Sequence, residues 1–258
     1  MKTEGLRARA RAHLYGFLAR AFRSEDETFG EALDSGGCRT RLASAAAVLD
    51  PANLAEPVRR VLCAAEQSKR EERESARIRA FGFTLRGTVP PYELEYGRSD
   101  VFQMSQELAD LAGFYRAFGM EMDPESNERA DHIAAELEYM LLLCAHQTQA
   151  EEEAEHEGLE HLAVSQDAQR KFLRDHLGCW GIGFGRRMAA FEAGSFLGEC
   201  GTLLAEFLAN DCRALGVAHG PQHLELRETG SAEELIAAQN CDASLATQDG
   251  GGNEAEAG

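Results

Sequence analysis

The chain has 258 residues, enough for one large or two small domains with a real core, and sets 44 acidic side chains against 26 basic ones for a formal charge of −18. That imbalance repels nucleic acid and anionic lipid and favours basic ligands. Seven cysteines without a CxxC pair suit neither a disulfide framework nor a zinc ribbon, so reduced thiols in a cytoplasm are expected.

At the amino terminus Arg7, Arg9, Arg11 and Arg20 interrupt any apolar region, and no secretory signal is read. The longest unbroken apolar run, Met140 to Ala145, falls far short of the roughly 20 residues that cross a bilayer, so no membrane insertion is expected. Leu14, Phe17, Leu18, Ala21 and Phe22 recur at helical spacing in a first helix. Two or three shorter helices follow up to Arg86, and the mixed charges between Glu66 and Arg79 read as a solvated helical face. Period-two β-branched runs are absent, and the six prolines fall where helical patterns begin, end or pause. The chain is therefore expected to be all-α.

After the run Val89-Pro90-Pro91-Tyr92-Glu93-Leu94-Glu95-Tyr96-Gly97, Ser99 or Asp100 is placed as the cap of a helix carrying Val101, Met104, Leu108, Leu111, Tyr115 and Phe118, closed by Gly119. Asp123-Pro124 is read as the start of the next helix, with Ile133, Leu137, Met140, Leu141 and Cys144 as its stripe and an acidic loop from Glu151 to Glu157 after it. A helix over about 166–177 follows, then a stretch that glycines 178, 181, 183 and 185 are expected to loosen, then a long helix over about 195–215. Residues 1–227 are taken as one helical domain. Residues 228–258 hold seven acids and no base, which leaves −11 on the rest, and read as an acidic, mostly disordered tail with one short helix near Ser231–Glu234.

Two places could carry chemistry. The diproline fixes its own φ and pushes Val89 toward extended backbone, so it stops the preceding helix and makes a stiff elbow. Displayed on it, Glu93 and Glu95 between Tyr92 and Tyr96 offer carboxylates beside aromatic surface, suited to a guanidinium followed by an apolar segment. In the alternative, Glu93 caps a helix and the tyrosines pack inward. The second place is ERADHIAAE, where Glu128, His132 and Glu136 at i, i+4, i+8 would share one helical face and could ligate a metal, as in a metal-dependent helical hydrolase. There the alternative is that Asp131 and His132 anchor the preceding loop through hydrogen bonds. No nucleophile elbow, Walker loop or dinucleotide fingerprint occurs, and no cofactor is assigned.

The blocks PPYELEYG, ERADHIAAELEYM and FLRDHLGCW, in this order and spacing, resemble the TorD/DmsD/NarJ family of molybdoenzyme assembly chaperones over about residues 14–215. The fuller elbow and the helix QMSQELADLAGFYRAFGM look most like chaperones of type II dimethyl sulfoxide reductase group enzymes, those acting on dimethylsulfide, ethylbenzene, selenate or chlorate. The resemblance implies a single-domain TorD-like bundle of about nine to eleven helices and no enzymatic activity. It implies a cytoplasmic chaperone, monomeric or a domain-exchanged dimer. Its partner would be a molybdopterin-containing catalytic subunit, bound through its twin-arginine leader or as the apo form, held back from export and assisted in molybdenum cofactor insertion. Client binding carries over to Tyr92, Glu93, Glu95, Tyr96, Asp131, His132 and Glu136. The chain departs from the family pattern at Leu94, where many members have serine, and at Arg129-Ala130, where many have proline shortly before Asp-His.

Overall fold

A computed structural model describes residues 2–24, 27–34, 36–82, 86–97, 101–122, 128–153 and 156–227. The expectations placed on Ser99, Asp100, Asp123-Pro124 and 228–258 lie outside these residues. Among the described residues there are ten α-helices and no strand: α1 Lys2–Phe22, α2 Glu27–Asp34, α3 Gly36–Leu49, α4 Pro51–Gln67, α5 Arg70–Phe81, α6 Val101–Ala117, α7 Ile133–Glu152, α8 His156–Asp175, α9 Leu177–Phe191 and α10 Phe196–Leu215. The all-α reading holds. The stripe Leu14, Phe17, Leu18, Ala21 and Phe22 is buried, and α1 lays it against α7 and α3. A second tight pair, α9 with α10, is joined to the first through α8 and α4.

Among the described residues four shorter helices, rather than two or three, follow α1 before the elbow, because the charged stretch breaks at Ser68–Lys69, where the Glu72 side chain accepts from the Lys69 backbone N–H at 2.9 Å and starts α5. Pro57 lies inside α4 with its ring buried, rather than at a helix boundary. The glycines of α9 do not loosen it. A Cβ on Gly185 would stand 2.6 Å from the Gly201 carbonyl oxygen of α10, and the reverse contact is equally close, so these glycines let two helix backbones approach where any side chain would hold them apart. Ser195 caps α10 by accepting from the Gly198 N–H at 3.1 Å, and Gly216 closes it in the left-handed conformation, φ 69°.

One charged group crosses the middle of the bundle. Arg11 of α1 is buried, and its guanidinium donates Nη2 to Asp211 Oδ2 of α10 at 2.8 Å. Tyr15 Oη donates to the same carboxylate at 2.6 Å, and Gln169 of α8 accepts from Arg11 and passes its own amide to Gln147 of α7 at 3.0 Å. Burial works against the Arg11 charge, yet Asp211 together with the nearby Cys144 and Tyr15 outweighs it and holds the guanidinium pKa above its ordinary value.

Candidate functional site

The elbow leaves α5 through backbone bonds that fix its entry: Val89 N–H donates to the Ala80 carbonyl at 2.9 Å. Pro90 and Pro91 are buried, and residues Glu93–Glu95 wind into a single 3₁₀ turn. Two short antiparallel bridges hold this turn on either side, Tyr92 with His132 and Tyr96 with Leu226. In the first, Glu93 N–H donates to the Asp131 carbonyl at 2.9 Å and Ile133 N–H to the Pro91 carbonyl at 2.8 Å. In the second, Arg227 N–H donates to the Glu95 carbonyl at 2.9 Å. The elbow and the Asp-His turn are thus one structural unit.

Its carboxylates point inward, contrary to the reading in which the elbow displays them outward. The 3₁₀ turn replaces the extended run in which i and i+2 would share a side, and each glutamate finds a cation inside the protein. Glu93 lies 3.2 Å from His176 Nδ1. Glu95 lies 2.8 Å from Arg86 Nε and 3.5 Å from Arg129 Nη1. Tyr96 is buried, donates its hydroxyl to the Pro90 carbonyl at 2.8 Å and stacks on Trp180 with centroids 5.6 Å apart. Tyr92 is half-buried under the Arg129 guanidinium, 4.6 Å above its ring.

Asp131, fully buried, ties the unit together. It accepts Nε and Nη2 of Arg129 at 2.9 and 2.7 Å and the Leu94 N–H at 3.1 Å. This bears out the loop-anchoring alternative. His132 is the N-cap of α7, with Nδ1 3.1 Å from the Ala134 N–H and 3.0 Å from Glu128 Oε1. A neutral Nδ1 accepts from the amide, whereas a protonated one donates to Glu128, so the ring makes one of these bonds at a time.

The shared helical face of Glu128, His132 and Glu136 does not form, because α7 begins only at Ile133 and the two earlier residues lie in the turn before it. Glu128 turns to Arg23 as well as His132. Burial would raise its pKa, but those partners outweigh burial and hold it below the ordinary value. Glu136 points the other way into the core, where both its oxygens accept from Trp180 Nε1 at 3.1 and 3.2 Å. Among the described residues no three His, Cys, Asp or Glu side chains are placed to hold a metal ion.

Charge in this unit is not balanced pair by pair. Burial raises the pKa of Glu136 well above the ordinary carboxylate value, Glu93 adds to the rise and the Trp180 indole opposes it. Burial likewise raises Glu93, against the pull of His176. For His176 burial opposes the charged ring, but Glu93 and Asp110 outweigh it and the pKa is raised.

An open groove of about 650 Å³ adjoins the unit, lined by Leu108, Tyr115, Met120, Met122, Arg129 and Ala130 among others. Arg129 is common to both, so the polar elbow and the apolar groove are continuous. Leu108 of α6 is half-buried where it lines this groove, while Leu111 and Tyr115 are buried.

The sequence reading did not assign roles to Arg86, Arg129, His176 or Trp180. The block FLRDHLGCW contained a signal for two of them, a histidine and a tryptophan four residues apart across a glycine. Nothing local pointed to Arg86, whose partner Glu95 is set by the elbow's fold.

Comparison with known proteins gives the chain's relatives. The family described as nitrate reductase delta subunit matches residues 48–185, just over half of the chain, from α3 through the elbow and Asp-His turn to Trp180. The perchlorate reductase assembly chaperone protein of Dechloromonas aromatica (strain RCB) is 45% identical over 75 residues, covering 28% of this chain and 30% of that protein. The chaperone protein TorD of Vibrio cholerae serotype O1 (strain ATCC 39315 / El Tor Inaba N16961) is 27% identical over 111 residues, 43% of this chain and 46% of that one. The matches thus span less than half the length of either relative. With the family match covering its elbow, its Asp-His turn and its tryptophan helix, the chain belongs to the nitrate reductase delta subunit family, the TorD/DmsD/NarJ group that its three sequence blocks resemble.

Proposed function

We propose that this chain is an assembly chaperone for a molybdoenzyme: it binds the twin-arginine leader or the apo form of the catalytic subunit in the cytoplasm, holds it back from export and assists molybdenum cofactor insertion. On this reading it performs no bond chemistry of its own, and it works as a monomer or a domain-exchanged dimer. The relatives named as chaperones support the class. The observation that carries the site is the continuity between the elbow and the apolar groove.

A leader carries guanidinium groups followed by an apolar stretch, and the two halves of the site suit those two parts. Glu93 and Glu95 are already matched by His176, Arg86 and Arg129, so an incoming arginine replaces an internal cation rather than adding a new buried charge. Exchange of this kind costs less than burying an unpaired ion. Leu108, Met120 and Met122 then offer adaptable apolar surface, since methionine repacks readily around varied side chains.

Titration of the full chain with a twin-arginine leader peptide, and with the same peptide carrying two lysines, tests the reading. Expected are a loss of about 10-fold or more for the lysine form and for Glu93→Gln, from the loss of bidentate charge-assisted bonds, and weaker binding as salt rises. Met122→Glu should weaken the apolar half. Equal binding of both peptides, unaffected by either substitution, would overturn it.

A further inference from the structure

His176 stands at the joint between α8 and α9, with φ −130° and ψ −102°, the one residue that separates two otherwise continuous helices. Its imidazole is only 4% exposed and is packed edge-on by Phe114 and flanked by Phe172, at centroid distances of 5.3 and 5.4 Å. Carboxylates face both of its nitrogens. Glu93 of the elbow lies 3.2 Å from Nδ1, and Asp110 of α6 lies 3.4 Å from Nε2. The second contact has ion-pair distance without hydrogen-bond alignment, so Nε2 is a buried nitrogen with no hydrogen-bond partner. Asp110, with a side chain 65% exposed, is free to swing the remaining few tenths of an ångström.

We propose that His176 is a proton-operated latch on the client-binding elbow: the imidazolium bridges Glu93 and Asp110 and holds the elbow against the α8–α9 joint, and loss of its proton to water on the Asp110 side releases Glu93 for an incoming arginine. The surrounding charges define the switch. From the elbow the ring meets Glu93, which also feels Asp131 and Glu107. From α6 it meets Asp110, and from α7 Glu136 acts through Glu93. On α8 Asp175 is paired with Arg174 at 2.7 Å, and on α9 Cys179 is a thiol whose pKa burial pushes up to about 11. No arginine or lysine pairs with either Glu93 or Glu136 among the described bonds, so the imidazolium is the cation that Glu93 has. A neutral ring keeps at most one hydrogen bond there and leaves the carboxylate with a buried charge to be matched from outside.

The protein contains its own reporter, since Trp180 is the only tryptophan and touches both Tyr96 of the elbow and Glu136. Tryptophan emission and hydrogen exchange of amides 89–97 are followed in the full chain from about pH 5.5 to 8.5. The wild type is expected to give one transition with its midpoint above the ordinary histidine value of about 6.5, with the protection of the elbow amides, taken relative to their base-catalysed intrinsic exchange rates, at least ~10-fold lower on the alkaline side. His176→Gln should abolish it, and a transition that persists in that variant overturns the latch, as does an elbow whose protection is equal at both ends of the range. Asp110→Asn sits on an exposed side chain, so it tests the bridge without challenging the core: the midpoint should fall, and an unmoved midpoint overturns the bridge. The link to the client rests on the function proposed above and has its own arm, in which leader affinity rises about 10-fold across the transition in the wild type and stays level in His176→Gln. A leader that binds at no pH counts against the client reading, while emission and exchange still decide the latch.

Discussion

Arg11 and Asp211 meet in the centre of the bundle as one cation and one anion with Tyr15, Gln169 and Gln147 completing their hydrogen bonds, whereas Glu93, Asp131 and Glu136 gather at the elbow with more carboxylate than nearby cation. Both networks are buried and both join elements distant in sequence. The first is closed, because every polar group named in it has a partner inside the protein, and a closed buried network makes a unique arrangement costly to leave. The second retains an orphan nitrogen on His176 and a Glu136 whose pKa burial and Glu93 raise well above the ordinary carboxylate value. Its incomplete balance is what allows an external cation to compete for it.

Substitutions sharpen this contrast, the largest effect first. Arg11→Met should strand the Asp211 charge in the core and cost about 3–5 kcal/mol in chemical denaturation, whereas Arg11→Met with Asp211→Leu should recover most of that loss. At the elbow the sign should reverse. Glu136→Gln keeps an acceptor for the Trp180 indole and removes a group that is costly to ionise, so at neutral pH stability should rise by about 2 kcal/mol. A matching loss there would mean that Glu136 is charged and paired, and the contrast would fail. Tyr15→Phe removes a hydroxyl bonded to a carboxylate and should cost about 1.5 kcal/mol, whereas Tyr96→Phe removes one bonded to a neutral carbonyl and should cost about 1 kcal/mol.

The pH dependence of melting separates the networks in another way. His176 has a raised pKa in the fold, so its stabilising share is complete below the ordinary value of 6.5 and is lost as pH rises through the folded value. Glu136 acts in the same direction. Above the ordinary value of 4.5 the unfolded chain releases that proton while the fold retains it, so stability falls as pH rises. The melting temperature should therefore decline from pH about 6 to about 8, and Glu136→Gln should flatten the decline. An unchanged slope would assign the decline to His176 and other groups rather than to Glu136.

Most helix positions were legible because a buried stripe must repeat at helical spacing wherever it is read. Leu14 through Phe22 and the α10 run from Ser195 to Leu215 follow that rule closely. The glycines of α9 misled for a local reason: in isolation they weaken a helix, and only the facing Gly201 turns that weakness into close packing. The start of α7 was misplaced because acidic and alanine residues before Ile133 carry good helical propensity, while the backbone of Asp131 and Ile133 is taken by the elbow. At the site the participating blocks were legible and their orientation was not, since whether Glu93 faces water or His176 depends on a partner 83 residues away.

By itself the chain's order of side chains determined an all-helical protein, a rigid diproline break and the three blocks that place it in its family, because spacing, proline geometry and residue identity are local properties. Tertiary structure alone decided that the elbow's carboxylates turn inward, that Arg86, Arg129 and His176 supply their cations and that Trp180 closes over Glu136. The reason is electrostatic: the state of a carboxylate is set by its burial and by charges brought within a few ångströms, and those distances exist only once the helices have packed.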